Sequence, residues 1–442
     1  MLAYVSTIDF YRYFSCMRRG LKALLMGLFI LQLAFPAAVI AQEHWEMEYY
    51  DNLILADYIK TVEFRHEVVN LTLPIIDLGS GAKLRLDFDD LEGGYKNYTY
   101  RLVHCDKDWY PSLLDETEYI NGFNGEEVPG FGYSTNTYSE YTHYDLTIPN
   151  DDIEWTKSGN YALIIVDDDL EKTVLVRRFI VTEEAVQTIA QLTRPRNTAK
   201  RRSHQEIKME INYTGLRINR PIQELYVSVL QNGNWENAQN NIKGSFERSN
   251  AVHYDYMDLI SFPAKKEFRN FDIRSLTSRS GNVDRIDRND FETNVELNAH
   301  RARAEKYYIT EFDANGQFII DNREYANPEV SSEYANVNFA LFSSSKLEDK
   351  VYIYGAFNDW QPKEEYQLIW DAKQSIYTGT FRFKQGYYDY MYGTLTDQGL
   401  DNAHFEGNWF ETENDYHIIV YFRDTAGDYD RVVDVQVLNS NL

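Results

Sequence analysis

"YALIIVDDDLEKTVLVRRFIV", residues 161–181, decides the fold class. Two apolar, β-branched runs (161–166 and 173–181) flank the polar segment DDDLEK. That is the pattern of two strands joined by a solvated hairpin loop. Runs of the same kind recur along the chain. "NYTYRLVHC" (97–105) alternates, with Tyr98, Tyr100, Leu102 and His104 on one side. "ELYVSVL" (224–230) meets the turn QNGNW. "KYYITEF" (306–312) and "QFII" (317–320) flank DANG, which predicts another hairpin. "VNFALF" (337–342), "VYIYG" (351–355), "SIYTGTFRF" (375–383), "GYYDYMYGTL" (386–395), "YHIIVYF" (416–422) and "RVVDVQVL" (431–438) complete the series. Few helix-period segments lie between them. The expectation is an all-β chain of tandem immunoglobulin-like β-sandwiches. The 35 Tyr and 24 Phe suit half-buried pleated surfaces.

At 442 residues the chain is too long for one ordinary domain. A basic start (Met17, Arg18, Arg19, Lys22), an apolar run from Leu24 to Phe35 and small residues up to Ala41 predict a secretory signal peptide over 1–41, with translation starting at Met17. Boundaries are expected in "QLTRPRNTAKRRSHQ" (191–205) and around Pro328. They give an N-terminal sandwich over 42–190, a middle β domain over 191–330 and a C-terminal immunoglobulin-like sandwich over 331–442. Cys16 leaves with the leader, so Cys105 has no partner for an intrachain disulfide. After the leader no apolar run is long enough to span a bilayer as a helix, so no direct membrane insertion is expected. The formal net charge of −25 repels nucleic acid, which is excluded as a partner.

Candidate chemistry is sparse. "HCDKDW" (104–109) gathers His104, Cys105, Asp106 and Asp108, all metal-ligating types. Alternation sends His104 and Cys105 to opposite faces, so a strand-to-turn corner is expected instead. "DFDDLEGG" (87–94) and "VDDDLEK" (166–172) offer paired carboxylates and read as solvated hairpin tips. The basic run "RPRNTAKRR" (194–202) reads as a solvated linker or edge strand. No nucleophile elbow, phosphate loop, dinucleotide fingerprint or zinc-protease motif occurs. The chain is expected to be no enzyme and to hold no catalytic, cofactor or metal site.

"VYIYGAFNDWQP" (351–362) resembles the carbohydrate-binding immunoglobulin-like domains of glycogen-branching and glycogen-sensing proteins. Trp360 would be a sugar platform, Asn358 and Asp359 would shape its turn, and Gly355 would let the strand bend. Phe357, Asn358, Asp359 and Trp360 are therefore the candidate ligand or partner surface. The resemblance implies a sugar-contacting Lys on a later strand, where this chain has Met391, and a second platform, whereas Trp409 sits in a different context. This weakens the alternative of a periplasmic or surface glycan-binding protein.

Longer stretches carry a more specific resemblance: "HCDKDWYPS" (104–112), "EYINGF" (118–123), "YTHYDLTIPN" (141–150), "SGNYAL" (158–163), "EFRNFDIRSL" (267–276) and "HFEGNWFETENDYHIIVYFRD" (404–424). Together they resemble the plug protein of the type IX secretion system, in order and over nearly the whole mature chain. The resemblance implies a periplasmic stopper held at the outer membrane through its partner, the β-barrel translocon, whose periplasmic mouth it closes. It assigns no contact residues.

Overall fold

The computed structural model describes residues 47–424 and 428–441. The expected signal peptide lies outside them. Among the described residues no helix is long and apolar enough to cross a membrane. The chain is nearly all-β and built of packed sheet pairs.

The hairpin at 161–181 forms as expected. Gly159–Asp167 and Lys172–Thr182 pair antiparallel, and Tyr98–Cys105 pairs on the other side. This sheet packs on a second one, ordered Ile59–His66, Leu84–Asp90, Thr142–Ile148, Gly130–Tyr133. Between them lies a core of Leu84, Leu86, Phe88, Tyr100, Leu102, Tyr144, Leu163 and Phe179. The alternating residues of both sheets supply it, as two facing pleated surfaces must.

The pairing divides the rest of the chain differently from the boundaries expected at 190/191 and 330/331. Gln187–Thr193 and His204–Asn212 are antiparallel neighbours, so the basic run 194–202 is the loop of a hairpin inside the second sandwich. The opposite sheet of that sandwich runs Asn234–Ile242, Leu225–Gln231, Asp415–Asp424, Tyr429–Asn439. The last hairpin of the chain therefore closes the second sandwich, burying Ile418, Val420 and Val433 with Val227, Val229 and Ile211.

The third sandwich is inserted between those halves. Its strand path begins at Arg269–Asp272, passes Gly386–Thr396, Val351–Tyr354, Gln367–Asp371, Ile376–Lys384, Tyr334–Phe342 and Thr293–Leu297, and ends at Val283–Arg288. Gln367–Asp371 turns the corner. Gln367 and Leu368 pair with Tyr352 and Val351, while Ile369–Asp371 pair with Ile376–Thr378. The hairpin expected around DANG does not form. Phe318–Ile320 pairs with Gly386–Thr396, and residues 306–312 join no strand.

Candidate functional site: the joints between the sandwiches

The residues singled out in the sequence gather where sandwiches meet. The FNDW turn is the first case. Asn358 is 1% exposed, and its side chain is used within the turn: Oδ1 accepts from the Gly355 amide at 3.0 Å, and Nδ2 donates to the Gln361 carbonyl at 3.0 Å. Gly355 is extended, but a Cβ there would lie 2.7 Å from the Asp389 carbonyl oxygen. Phe357 packs on Tyr366 and Phe383. Trp360 is not a platform. It is 5% exposed, wedged against Phe268, Tyr354 and Met391, with the Lys265 ammonium 5.5 Å from its ring centre. The turn touches both other sandwiches. Asp359 lies 3.5 Å from Arg177 of the first, and Gln361 donates to Glu236 of the second at 3.2 Å. A cavity of about 120 Å³ lies beside it, lined by all three sandwiches.

The HCDKDW corner is the second case. His104 points into the first core against Tyr161, and the buried Cys105 thiol is free. Asp106 accepts the amides of Asp108 and Tyr110, the turn expected of it. Trp109 then reaches the second sandwich, edge-on to Trp235 at 5.1 Å. The Arg178 guanidinium sits 4.6 Å from the Trp109 ring centre and 5.4 Å from that of Trp235. It donates to the Tyr50 carbonyl at 2.8 Å and pairs with Asp51 at 3.1 Å. Asn241 donates to Asp108 at 2.6 Å, and Tyr421 to Asn160 at 3.1 Å. Trp109 and Trp360 both hold left-handed backbone, φ 69° and 64°. Bulky residues stay there only where packing over-determines them.

The third case overturns an expectation. The aspartates of "DFDDLEGG" are not in a solvated tip, although Glu92 in the turn after them is exposed. Asp87, Asp89 and Asp90 lie within Leu84–Asp90 and are 4%, 0% and 0% exposed. Leu84, Leu86 and Phe88 face the core, so Asp87 and Asp89 face outward, where the third sandwich covers them. Lys384 of that sandwich donates to Asp89 at 2.6 Å and to the Glu329 carbonyl at 2.6 Å. The Tyr334 hydroxyl donates to Asp89 at 2.6 Å. His143, on Thr142–Ile148, meets Asp89 through Nδ1 at 2.8 Å. Its Nε2 stands 3.3 Å from Asp87, close but out of line for a hydrogen bond. Arg85 bonds Asp87 at 2.9 Å and reaches Glu329 at 3.1 Å. By contrast, Asp168 and Asp169 of "VDDDLEK" are exposed.

Electrostatics follow from that packing. Burial would lower His143, but Asp87 and Asp89 beside it overcome this and raise it to about 9. Burial would raise Asp87 and Asp89. His143 and Arg85 outweigh it at Asp87, and Lys384 and His143 at Asp89, so both stay below the usual carboxylate range. Glu63, on the same face, is pushed up to about 7 by burial and by Asp87. Ligand atoms of Asp87, His143 and Glu329 lie within 4.8 Å of one another, a spacing that would suit a cation. An imidazolium offers a metal no lone pair, and Asp87 is already neutralised by arginines. The cluster acts as an ionic weld.

The stretches "EFRNFDIRSL" and "HFEGNWFETENDYHIIVYFRD" meet inside the third sandwich. Glu406, wholly buried, takes Arg269 at 2.8 Å and also Arg303. Sequence reasoning missed Glu406, Arg269, Lys384 and Arg178 as structural charges, because nothing local marks their partners.

Residues 59–183, the first sandwich, match the family model described as the first domain of the type 9 secretion system plug protein. A crystal structure of a hypothetical protein from Parabacteroides merdae ATCC 43184 is similar, at 28% identity and a TM-score of 0.85, covering 89% of this chain and 100% of that one. The three N-terminal domains of the bacteriophage RB49 outer capsid protein Hoc align at 12% identity over 86% of this chain and 97% of that one, but a TM-score of 0.16 denotes no shared fold. No curated protein matches. The first sandwich is thus similar to the first domain of the type 9 secretion system plug protein family, a likeness carried by residues 59–183.

Proposed function

We propose that this chain is a non-enzymatic periplasmic plug that closes the periplasmic opening of the outer-membrane β-barrel translocon of the type 9 secretion system. The observation that carries the reading is the match of the first sandwich to the plug-protein family. The joints support it. A stopper must resist being pushed apart, and here each sandwich is tied to both others through buried charge, rings or hydrogen bonds. A glycan-binding role has no support at the FNDW turn, because the ring that would carry a sugar is packed inside.

Deletion tests the proposal. Cells lacking the chain should keep part of their secretion but leak large hydrophilic molecules across the outer membrane. A second deletion, of the barrel, should make them tight again. Leakage that is equal with and without the barrel would refute the proposal.

A further inference from the structure

The chain leaves the second sandwich for the third, and returns, through two crossings, residues 264–268 and 402–414. The crossings are laced to each other. The Trp409 amide and the Thr412 hydroxyl donate to the Lys265 carbonyl at 2.9 and 3.0 Å, and Asn414 donates to the Ala264 carbonyl at 2.9 Å. The DANG turn, residues 313–316, lies against this hinge. Its Asn315 donates to Asp415 of the second sandwich at 2.9 Å, and its Gly316 carbonyl accepts the Ala356 amide, at the head of the FNDW turn, at 2.9 Å.

Carboxyl groups hold the turn. Asp389 Oδ2 accepts the amides of Ala314 and Gly316, and Asp313 accepts those of Asn315 and Phe268. Glu267 on the outgoing crossing and Glu413 on the returning one stand close enough to act on Asp313. Asp389 is 0% exposed and Glu267 2%, and each keeps one buried oxygen, Oδ1 and Oε2, without a hydrogen-bond partner. Asp89 and Glu406 are as deeply buried but have Lys384, or Arg269 and Arg303, as counterions. Among the described residues neither these four carboxyl groups nor Asp415 pairs with a lysine or arginine. Lys266 and Arg303 face Glu267, but Lys266 donates to the Arg303 carbonyl at 3.5 Å, and Arg303 is taken by Glu406, Glu311 and the Glu267 carbonyl. The Tyr308 and Tyr387 phenols stand beside Glu267 and Asp389, and His417 beside Asp415.

A buried carboxyl group with no counterion is relieved by a metal ion or by a proton. Among the described residues no three metal-ligating groups of this cluster come within 4.8 Å of one another, so the spacing a bound cation needs is missing. At 0% exposure Asp389 is also beyond the reach of a side chain from outside. A proton remains.

We propose that the insertion hinge between the second and third sandwiches is a proton-operated latch: a proton on Asp389, beside Asp313, keeps the DANG turn seated on the hinge, and its loss frees the turn. Burial and the Asp313 charge push Asp389 up to about 7, and burial, Glu267 and Glu413 push Asp313 up to about 6. Both lie above the ordinary 3.8, so their contribution is complete below about pH 4 and is lost as pH rises through about 6 to 7. The latch does not rest on the plug reading.

The test compares the full chain with Asp389→Asn, whose amide keeps an oxygen for Ala314 and Gly316 and carries no charge at any pH. From about pH 5 to 7 the wild-type unfolding constant in urea should rise about tenfold per pH unit relative to the variant, the effect of one proton. Hydrogen exchange at the Ala314, Asn315 and Gly316 amides, corrected for its intrinsic pH dependence, should accelerate about tenfold from about pH 6 to 8 in wild type and stay level in the variant. Wild-type exchange alone decides the matter if the variant does not fold. Level wild-type exchange would overturn the latch. Parallel urea curves would overturn it too, by showing Asp389 ionised throughout. Slow exchange restored by calcium at about pH 8 would put a cation in the proton's place and overturn it equally.

Discussion

The first sandwich meets the second across rings and a guanidinium, and meets the third across paired charges. At the first joint the Arg178 guanidinium sits against the Trp109 and Trp235 rings, and its polar demands are met by Tyr50 and Asp51 of its own sandwich. Separation would leave that cation partly satisfied. At the second joint Asp89 depends on Lys384 and Tyr334 of the opposite sandwich, and Lys384 on Asp89. Separation would strand charges on both surfaces. The aromatic joint gains by area and tolerates slippage. The charged joint fixes one register and fails abruptly.

The comparison is broken most directly by removing one member from each kind of joint. Lys384→Met leaves Asp89, wholly buried, without its cation across the joint, and should cost about 3–5 kcal/mol. Urea unfolding would read the loss, and small-angle scattering would show a longer particle if the first sandwich swings free. Trp360→Ala should cost a similar amount, about 3–5 kcal/mol, as a cavity-forming change in a buried aromatic cluster. The scattering profile should not lengthen, because the charged joint remains. Neither wild type nor Trp360→Ala should bind glycogen, starch or cyclodextrin. Saturable binding by wild type, lost in the variant, would restore a sugar site.

Next in size is pH. His143 is raised to about 9 from 6.5, so its contribution is complete below about pH 6.5 and is lost as pH rises through about 9. The loss amounts to about 3 kcal/mol over that window. Glu63, raised to about 7, acts in the same sense from about pH 4.5 upward. Asp87 and Asp89, held low, weaken the joint only as pH falls below about 4. The charged joint therefore loosens upward in pH, and the ring-packed joint does not. Comparing urea midpoints of wild type and His143→Gln between pH 6 and 9 isolates the seam. Parallel curves would show that His143 is not charged there.

Much of the β architecture was legible. The 161–181 hairpin, the Asp106 turn and the division of His104 and Cys105 between faces all follow from period two and turn chemistry. What local pattern hides is the identity of a strand's partner. Residues 415–439 read as strands, yet nothing within them says that they close a sandwich begun before residue 260. Leu84, Leu86 and Phe88 set the alternation, and Asp87 and Asp89 follow on the other face. Acids on that face read as solvated unless another domain covers it, and Lys384 lies 295 residues away in sequence. The same ignorance of coverage made Trp360 look like a platform. Residues 306–312 show the converse: strand composition without a strand partner among the described residues.

Arg178→Lys sharpens the aromatic side with a smaller effect. A lysine keeps the charge but loses the broad guanidinium contact with the Trp109 and Trp235 rings and the fork toward Tyr50 and Asp51. A loss of about 1–2 kcal/mol is expected, with little dependence on pH between 6 and 9. Thermal unfolding at two pH values would check it. A pH-dependent penalty would mean that this joint, too, is governed by titrating charge.

Salt should have the smallest effect, and it separates buried from exposed charge within one joint. Lys60 and Glu365 also bridge the first and third sandwiches at 2.7 Å, but with side chains 30% and 49% exposed. Asp89 and Lys384 are each 1% exposed at the side chain. Ions screen exposed pairs over a Debye length of about 10 Å at 0.1 M, and scarcely enter a buried one. Raising NaCl from about 0.05 to about 0.5 M should thus remove the Lys60–Glu365 attraction, worth under about 1 kcal/mol, and leave the weld intact. Lys60→Ala should abolish most of that small salt sensitivity, while Asp89–Lys384 continues to hold the register. A fall in stability much larger than this, persisting in Lys60→Ala, would mean that water and ions reach Asp89. The charged joint would then be a hydrated contact, and the contrast with the aromatic joint would lose its physical basis.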